Sequence, residues 1–290
     1  MIERGAAVTV NAAGWRGPLI APARGARPRL LLLGDSMAFG HGVADGQTFA
    51  ALLAAPGAGP EVVNLGVEGY GPDQALLRFE NEGRAFAPDA VVLSVCLDND
   101  FADAGLPVSL YDGRHPKPWF SLDAGGRLRL HDEHLRLTSR QRLGVWLREI
   151  SRLYARLAAL LAGEQAAPAE SWRQRRARVE SDAARAVDLV ARLIEQLRDG
   201  TRDVAPGGRP ARLLVLLHPS KESYNRGSAL GDALVARLAV AGIDTLDLAS
   251  RFHARGLRFA DFAFDPTGHM NPRGHALAAE ELRAWWAAAR

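Results

Sequence analysis

The run Arg29-Leu30-Leu31-Leu32-Leu33 sets the frame for this chain. Pro28 precedes it and Gly34 follows it, so the apolar stretch has the length of a strand rather than a helix. Four leucines in succession suit a strand buried on both faces, as strands of a parallel sheet are. Glu61–Leu65, Asp89–Cys96, Arg212–Leu217 and Ile243–Leu248 read as further strands. Helical stretches separate them at 46–53, from Pro72 to about Phe86, at Leu230–Ala241 and at Ala276–Ala289. Strand, helix, strand in a repeating order implies right-handed crossovers and a central parallel sheet, an α/β fold.

Residues 104–200 interrupt that order and read as an insertion. Pro116–Asp123 turns at Ala124-Gly125-Gly126 and returns through Arg127–Leu130, a hairpin. Two long amphipathic helices follow. Leu143, Trp146, Leu147, Ile150, Leu153, Tyr154, Leu157, Leu160 and Leu161 form one stripe; Val179, Ala183, Val187, Val190, Ile194 and Leu197 form the other. Residues 1–27, rich in Gly, Ala and Pro, read as an arm packed over the sheet by Trp15. No linker divides the chain, so 1–290 is expected to be one domain.

Composition excludes several classes of function. No run approaches the eighteen apolar residues of a membrane span. The N-terminus lacks the apolar core of a secretory signal, which makes the cytoplasm the default location. Cys96, the single cysteine, lies in an apolar run and reads as a buried hydrophobe. The net charge of +3 is carried almost wholly by arginine, since only Lys117 and Lys221 are lysines. The basic cluster 173–178 has no interleaved aromatics and reads as a solvated helix face, not a nucleic-acid site. Oligomeric state is not legible.

Each strand delivers a polar group just beyond its carboxyl end, where open α/β sheets collect reacting groups. Ser36 follows the first strand, Gly69 the second, Asn99 the third and His218 the fourth; a loop with Asp261, Asp265, His269, Asn271 and His275 precedes the last helix. Acyl transfer needs a nucleophilic hydroxyl, a base, a group that orients the base, and donors for an oxyanion. Ser36 supplies the first, His269 the second and Asp265 the third. The N–H groups of Ser36 and Gly69 and the Asn99 side-chain amide supply the donors. Gly66 reads as a turn residue needing positive φ. His275 reads as structural, starting the last helix. His131, Asp132, Glu133 and His134 lack the spacing of a metal site, and Asp112-Gly113-Arg114-His115 reads as a coincidence of spacing. Gly34–Gly42 fits neither a dinucleotide nor a P-loop pattern. Lys221 and Tyr224, at the same rim, are expected to contact an anionic or sugar substrate.

Gly34-Asp35-Ser36, Asn64-x-Gly66-x-x-Gly69, Asn99-Asp100 and His269-Met270-Asn271-Pro272-Arg273-Gly274-His275 together resemble the SGNH, or GDSL-type, hydrolases. The resemblance covers about residues 28–287. It implies a flavodoxin-like three-layer α/β/α sandwich, a serine esterase mechanism and no cofactor. Block by block, it implies a nucleophile at Ser36, oxyanion donors at Gly69 and Asn99, and a base at His269. Two positions depart from the family pattern. Leu97 stands where many members have glycine. The family acid usually sits three residues before the histidine, and position 266 is proline. Asp265 is the expected acid; Asp261, or a dyad with a backbone carbonyl orienting the ring, are the alternatives. The expected activity is hydrolysis of a small acyl or acetyl ester, with a carbohydrate as a candidate alcohol. Acyl transfer to a sugar hydroxyl and a non-catalytic carbohydrate-binding relative are the competing readings.

Overall fold

The computed structural model describes residues 2, 3, 6–54, 59–111, 113, 115–135, 143, 146, 147, 151, 154 and 170–288. Seven of its strands matter here: β1 (Arg29–Leu33), β2 (Glu61–Asn64), β3 (Ala90–Cys96), β4 (Trp119–Leu122), β5 (Leu128–His131), β6 (Arg212–His218) and β7 (Asp244–Asp247). Five form one sheet in the order β2-β1-β3-β6-β7, every neighbouring pair parallel. That is the flavodoxin-like order, in which the sequence of strands reverses direction between β1 and β3. The crevice above this switch point is where Ser36 and Asn99 emerge.

The leucines of β1 divide as the pleat requires. Leu31 and Leu33 enter one core and Leu30 and Leu32 the other, all at most 1% exposed. Each such side chain contributes about 2 kcal/mol of burial free energy. The first core is closed by helix Ala183–Gly200 and helix Pro72–Asn81; the second by helix Pro272–Ala287 and helix Phe49–Leu53. Trp15 lies edge-on to Phe86 at 5.7 Å, so the arm covers the first core. Buried Arg29 holds the arm further, donating to the Pro22 and Phe86 carbonyls at 3.0 and 2.8 Å.

The hairpin forms as expected, Trp119–Leu122 pairing antiparallel with Leu128–His131. Several other elements differ from the sequence reading. The helix from Pro72 stops at Asn81, and Gly83–Phe86 tightens into a 3₁₀ turn that Ala87 ends at φ 45°. The expected helix over 179–197 is two helices, Trp172–Glu180 and Ala183–Gly200, separated where the Asp182 carboxylate caps the Arg185 N–H. Val179 consequently packs on a satellite cluster of Ala102, Leu106 and Leu110, and Ala183 is exposed. Of the stripe from Leu143 to Leu161 only Leu143, Trp146, Leu147 and Tyr154 are described, and Leu143, Trp146 and Tyr154 are exposed; the rest of it, Asp112, Arg114 and the His134 side chain lie outside the described residues. The basic cluster is not wholly solvated. Arg175 is 5% exposed and donates to the Leu110 and Tyr111 carbonyls, at 2.8 and 2.9 Å. Among the described residues, no helix is long and apolar enough to cross a membrane.

Candidate active site

Ser36 opens the short helix Ser36–Phe39 directly after β1, with Asp35 as its cap. The Asp35 carboxyl accepts the Met37 N–H at 2.9 Å, and this fixes the corner. The Ser36 N–H, at the first turn, has no intrahelical acceptor. Burial pushes the Asp35 carboxyl up to about 7, with the charges of Asp103 and Glu68 adding to the shift.

From the other end of the chain, His269 comes within hydrogen-bond distance of Ser36, Nε2 to Oγ at 2.8 Å. On its far side Nδ1 meets Asp265 Oδ2 at 2.9 Å. With Nδ1 protonated against the carboxylate, Nε2 is the acceptor and the serine hydroxyl donates. Asp265 also caps the loop, accepting the backbone N–H of His269 and of Gly268 at 3.3 Å each. The Gly268 N–H also donates to the Asp265 carbonyl at 3.0 Å, closing the turn that lets a residue four positions before His269 reach its ring. Asp261 points elsewhere: its carboxylate accepts the Arg258 N–H at 2.7 Å and pairs with the Arg258 guanidinium at 3.2 Å.

Gly69 and Asn99, the expected side-loop donors, are held differently. Gly69 has φ +76°, and a Cβ built on it meets nothing within 4 Å. Its requirement is therefore the left-handed backbone, not crowding. Gly66 is the reverse and corrects the sequence reading. Its φ is not positive, but a Cβ there would lie 2.6 Å from the Ala38 Cβ and 2.7 Å from the Phe39 nitrogen. It is glycine so that this loop can press onto the helix behind Ser36. Asn99 is 3% exposed, and its Nδ2 donates one N–H to Asp100 Oδ1 at 3.1 Å. An amide nitrogen carries two N–H groups, and this bond uses one of them.

The ring beside His269 escaped the sequence reading, and so did the burial of Lys117. The His41 ring sits 4.6 Å from that of His269, and its Nδ1 lies 2.6 Å from Glu68 Oε1. The only sequence signal was its position between Gly40 and Gly42, just after the serine helix. Lys117, whose rarity was legible, is buried against Asp73.

The remaining candidates divide. Lys221 lines a groove of about 970 Å³, with Asp98, Trp172, Arg176, Asn225 and Thr267 among its walls. Ser36, Asp265 and His269 do not line the groove; Asp98, which precedes Asn99, and Thr267, two residues before His269, are its nearest lining residues in sequence. Tyr224 does not reach it. It is 4% exposed, stacked on His253 at 3.9 Å, and its hydroxyl donates to the Leu257 carbonyl at 2.6 Å. The aromatic ring is core, and the structure does not bring it together with Lys221. Cys96 is fully buried, which pushes its thiol well up. His131 stacks on Trp119 at 4.3 Å and bonds the Ser121 hydroxyl at 2.8 Å, within the hairpin.

His218 is beneath the rim rather than on it. Together with His275 it flanks Phe49, at ring separations of 6.1 and 5.5 Å. His275 Nδ1 accepts the Phe49 N–H at 3.2 Å, the structural role expected of it. Burial pushes both imidazoles down to about 3. Unfolded, each titrates near 6.5. The stability they contribute is therefore complete above pH 6.5 and is lost as pH falls toward 3. Asp35 has the opposite sign, losing stability as pH rises through about 7. In His275→Gln the Phe49 N–H keeps an acceptor, and one acid-sensitive group is gone. The stability gap between wild type and this variant is expected to narrow by roughly 2 kcal/mol between pH 7 and pH 4.5. Urea unfolding at the two pH values measures it; a constant gap would mean the ring is charged in the fold.

Residues 32–277 match the model of the GDSL-like Lipase/Acylhydrolase family. No curated protein sequence matches the chain. Similar solved structures include an α/β hydrolase from the metagenome of Lake Arreo, Spain, 16% identical over 89% of this chain and 94% of that one, TM-score 0.48. A catalytic mutant of an acetylxylan esterase from Geobacillus stearothermophilus is 13% identical over 87% and 91%, TM-score 0.47. A carbohydrate acetylesterase from Sinorhizobium meliloti is 10% identical over 91% and 100%, TM-score 0.47. The family match spans the strands, the serine corner and the histidine loop, and on it this chain belongs to the GDSL-like lipase/acylhydrolase family and is an ester-hydrolysing enzyme.

Proposed function

We propose that the chain hydrolyses small acyl or acetyl esters through an acyl-enzyme on Ser36. The observation that carries this reading is the continuous line of hydrogen bonds Ser36–His269–Asp265, at 2.8 and 2.9 Å. In the first step Ser36 Oγ attacks the ester carbonyl carbon while His269 Nε2 takes the hydroxyl proton. The carbonyl oxygen becomes an oxyanion facing the N–H groups of Ser36 and Gly69 and the Asn99 amide. His269 then returns the proton to the departing alkoxide, and the alcohol leaves. Water, deprotonated by the same nitrogen, attacks the acyl-enzyme carbonyl carbon; the bond to Ser36 Oγ breaks, the acid leaves, and His269 returns the proton to Oγ. Asp265 holds the Nδ1–H tautomer and stabilises the imidazolium that forms twice in each cycle.

The alcohol half of the ester extends from Ser36 toward the groove beside Asp98 and Thr267. A groove of about 970 Å³ that combines Trp172 with Asn225 and Lys221 suits a polyhydroxyl alcohol such as a sugar, with an apolar face and polar edges. Lys221 is the charged contact in this reading.

Fluorophosphonate labelling followed by peptide mass mapping tests the proposal. The tag is expected on Ser36, alongside a burst of p-nitrophenol from p-nitrophenyl acetate. A hydrolytically active preparation that carries no tag on Ser36 would overturn it.

A further inference from the structure

Lys117 is buried to 6% side-chain exposure, and its ammonium bonds Asp73 Oδ2, a carboxylate that is itself wholly buried. An ammonium withdrawn from water is tolerated only where carboxylates compensate for the lost hydration. The position of those carboxylates is informative. Asp73 lies in the first turn of helix Pro72–Asn81, four residues after Gly69. Asp103 closes the helix Asp100–Asp103, four residues after Asn99. A methyl built on Gly71 would lie 2.7 Å from Asp73 Oδ1 and 2.8 Å from Asp103 Oδ2. The loops after Gly69 and Asn99 therefore meet at Gly71, with a carboxyl oxygen from each pressed against the same point.

Two buried carboxylates at that distance repel unless a cation or a proton intervenes. Lys117 supplies the cation, and its charge favours the ionised form of both carboxyls against the burial that pushes them up. The lysine is fixed in turn: its backbone N–H donates to the Pro107 carbonyl at 3.0 Å. Asp103 reaches the same segment, Oδ1 accepting the Leu110 N–H at 3.3 Å.

We propose that Lys117 is a positioning residue for the oxyanion site, its ammonium tying the Gly69 loop to the Asn99 loop and so setting the spacing of the two donors. The inference rests on the esterase reading above and extends it to a side chain in the segment between Asp103 and the hairpin. Misplacing an oxyanion donor costs transition-state stabilisation and leaves ground-state binding nearly untouched. A lysine that only stabilised the fold would alter the fraction of active protein, not the turnover of each active site.

The test uses the full chain, with kcat for p-nitrophenyl acetate expressed per serine titrated to end-point by fluorophosphonate. Lys117→Met is expected to lower kcat per site by about 10- to 100-fold, with KM within about twofold of wild type. The double variant Asp73→Asn/Lys117→Met leaves no unpaired charge at Asp73, and it decides the matter where the single variant does not fold. Its melting temperature is expected to recover toward that of wild type while kcat per site stays at least about tenfold low. A double variant with wild-type kcat per site overturns the positioning role alone. Wild-type protein that neither turns over the ester nor is tagged at Ser36 overturns the esterase reading beneath it.

Discussion

Ser36→Ala is expected to lower kcat for p-nitrophenyl acetate by about 10⁴-fold or more, with the fold intact. Alanine removes the oxygen that lies 2.8 Å from His269 Nε2 and leaves the corner otherwise unchanged. Asp35 caps the Met37 N–H through its own side chain, so the geometry of the turn does not depend on the hydroxyl. The proposed oxyanion donors and groove persist, and whatever rate remains above that of water is expected to come from them. Initial rates with a circular dichroism control measure the effect. A variant within tenfold of wild type would mean that His269 activates water directly and that no acyl-enzyme forms.

The second large effect separates two carboxylates only four residues apart. Asp265→Asn is expected to reduce kcat by about 10²- to 10⁴-fold, because an amide at this position no longer enforces the Nδ1–H tautomer or stabilises the imidazolium. Asp265 is bonded to the ring at 2.9 Å, whereas both oxygens of Asp261 are taken by Arg258. Asp261→Asn is therefore expected to stay within about twofold of wild type, since it changes a surface cap. Parallel kinetics on the two variants are sufficient. If Asp261→Asn instead shows the larger loss, the loop rearranges during turnover and Asp261 is the working acid.

These predictions differ in how far the chain's primary structure anticipates them. Ser36, Gly69 and Asn99 follow β1, β2 and β3, and His269 lies in the loop beyond β7, so their delivery to the carboxyl edge of one parallel sheet is a consequence of topology. Lys221 is legible for the same reason, because it follows β6 at that edge. Tyr224 fails by a matter of helical phase. Three residues beyond Lys221 on the short helix Lys221–Arg226, its ring turns inward among His253, Phe259 and Phe262. His218 fails because the last residue of β6 still points into a core, where its register partner Cys96 is equally buried.

Local sequence determined the strands, the serine corner and the order in which chemical groups reach the sheet edge. Period and turn chemistry act over a few residues, and those features need nothing more. Tertiary structure alone decided that Asp265 and not Asp261 meets His269, that His41 lies against that ring, and that Lys117 is buried against Asp73. Lys117 and Asp73 are 44 positions apart, and no local pattern encodes a pairing across that distance. What brings them together is the shared cost of burying charge, which is defined only once the fold has excluded water from the junction.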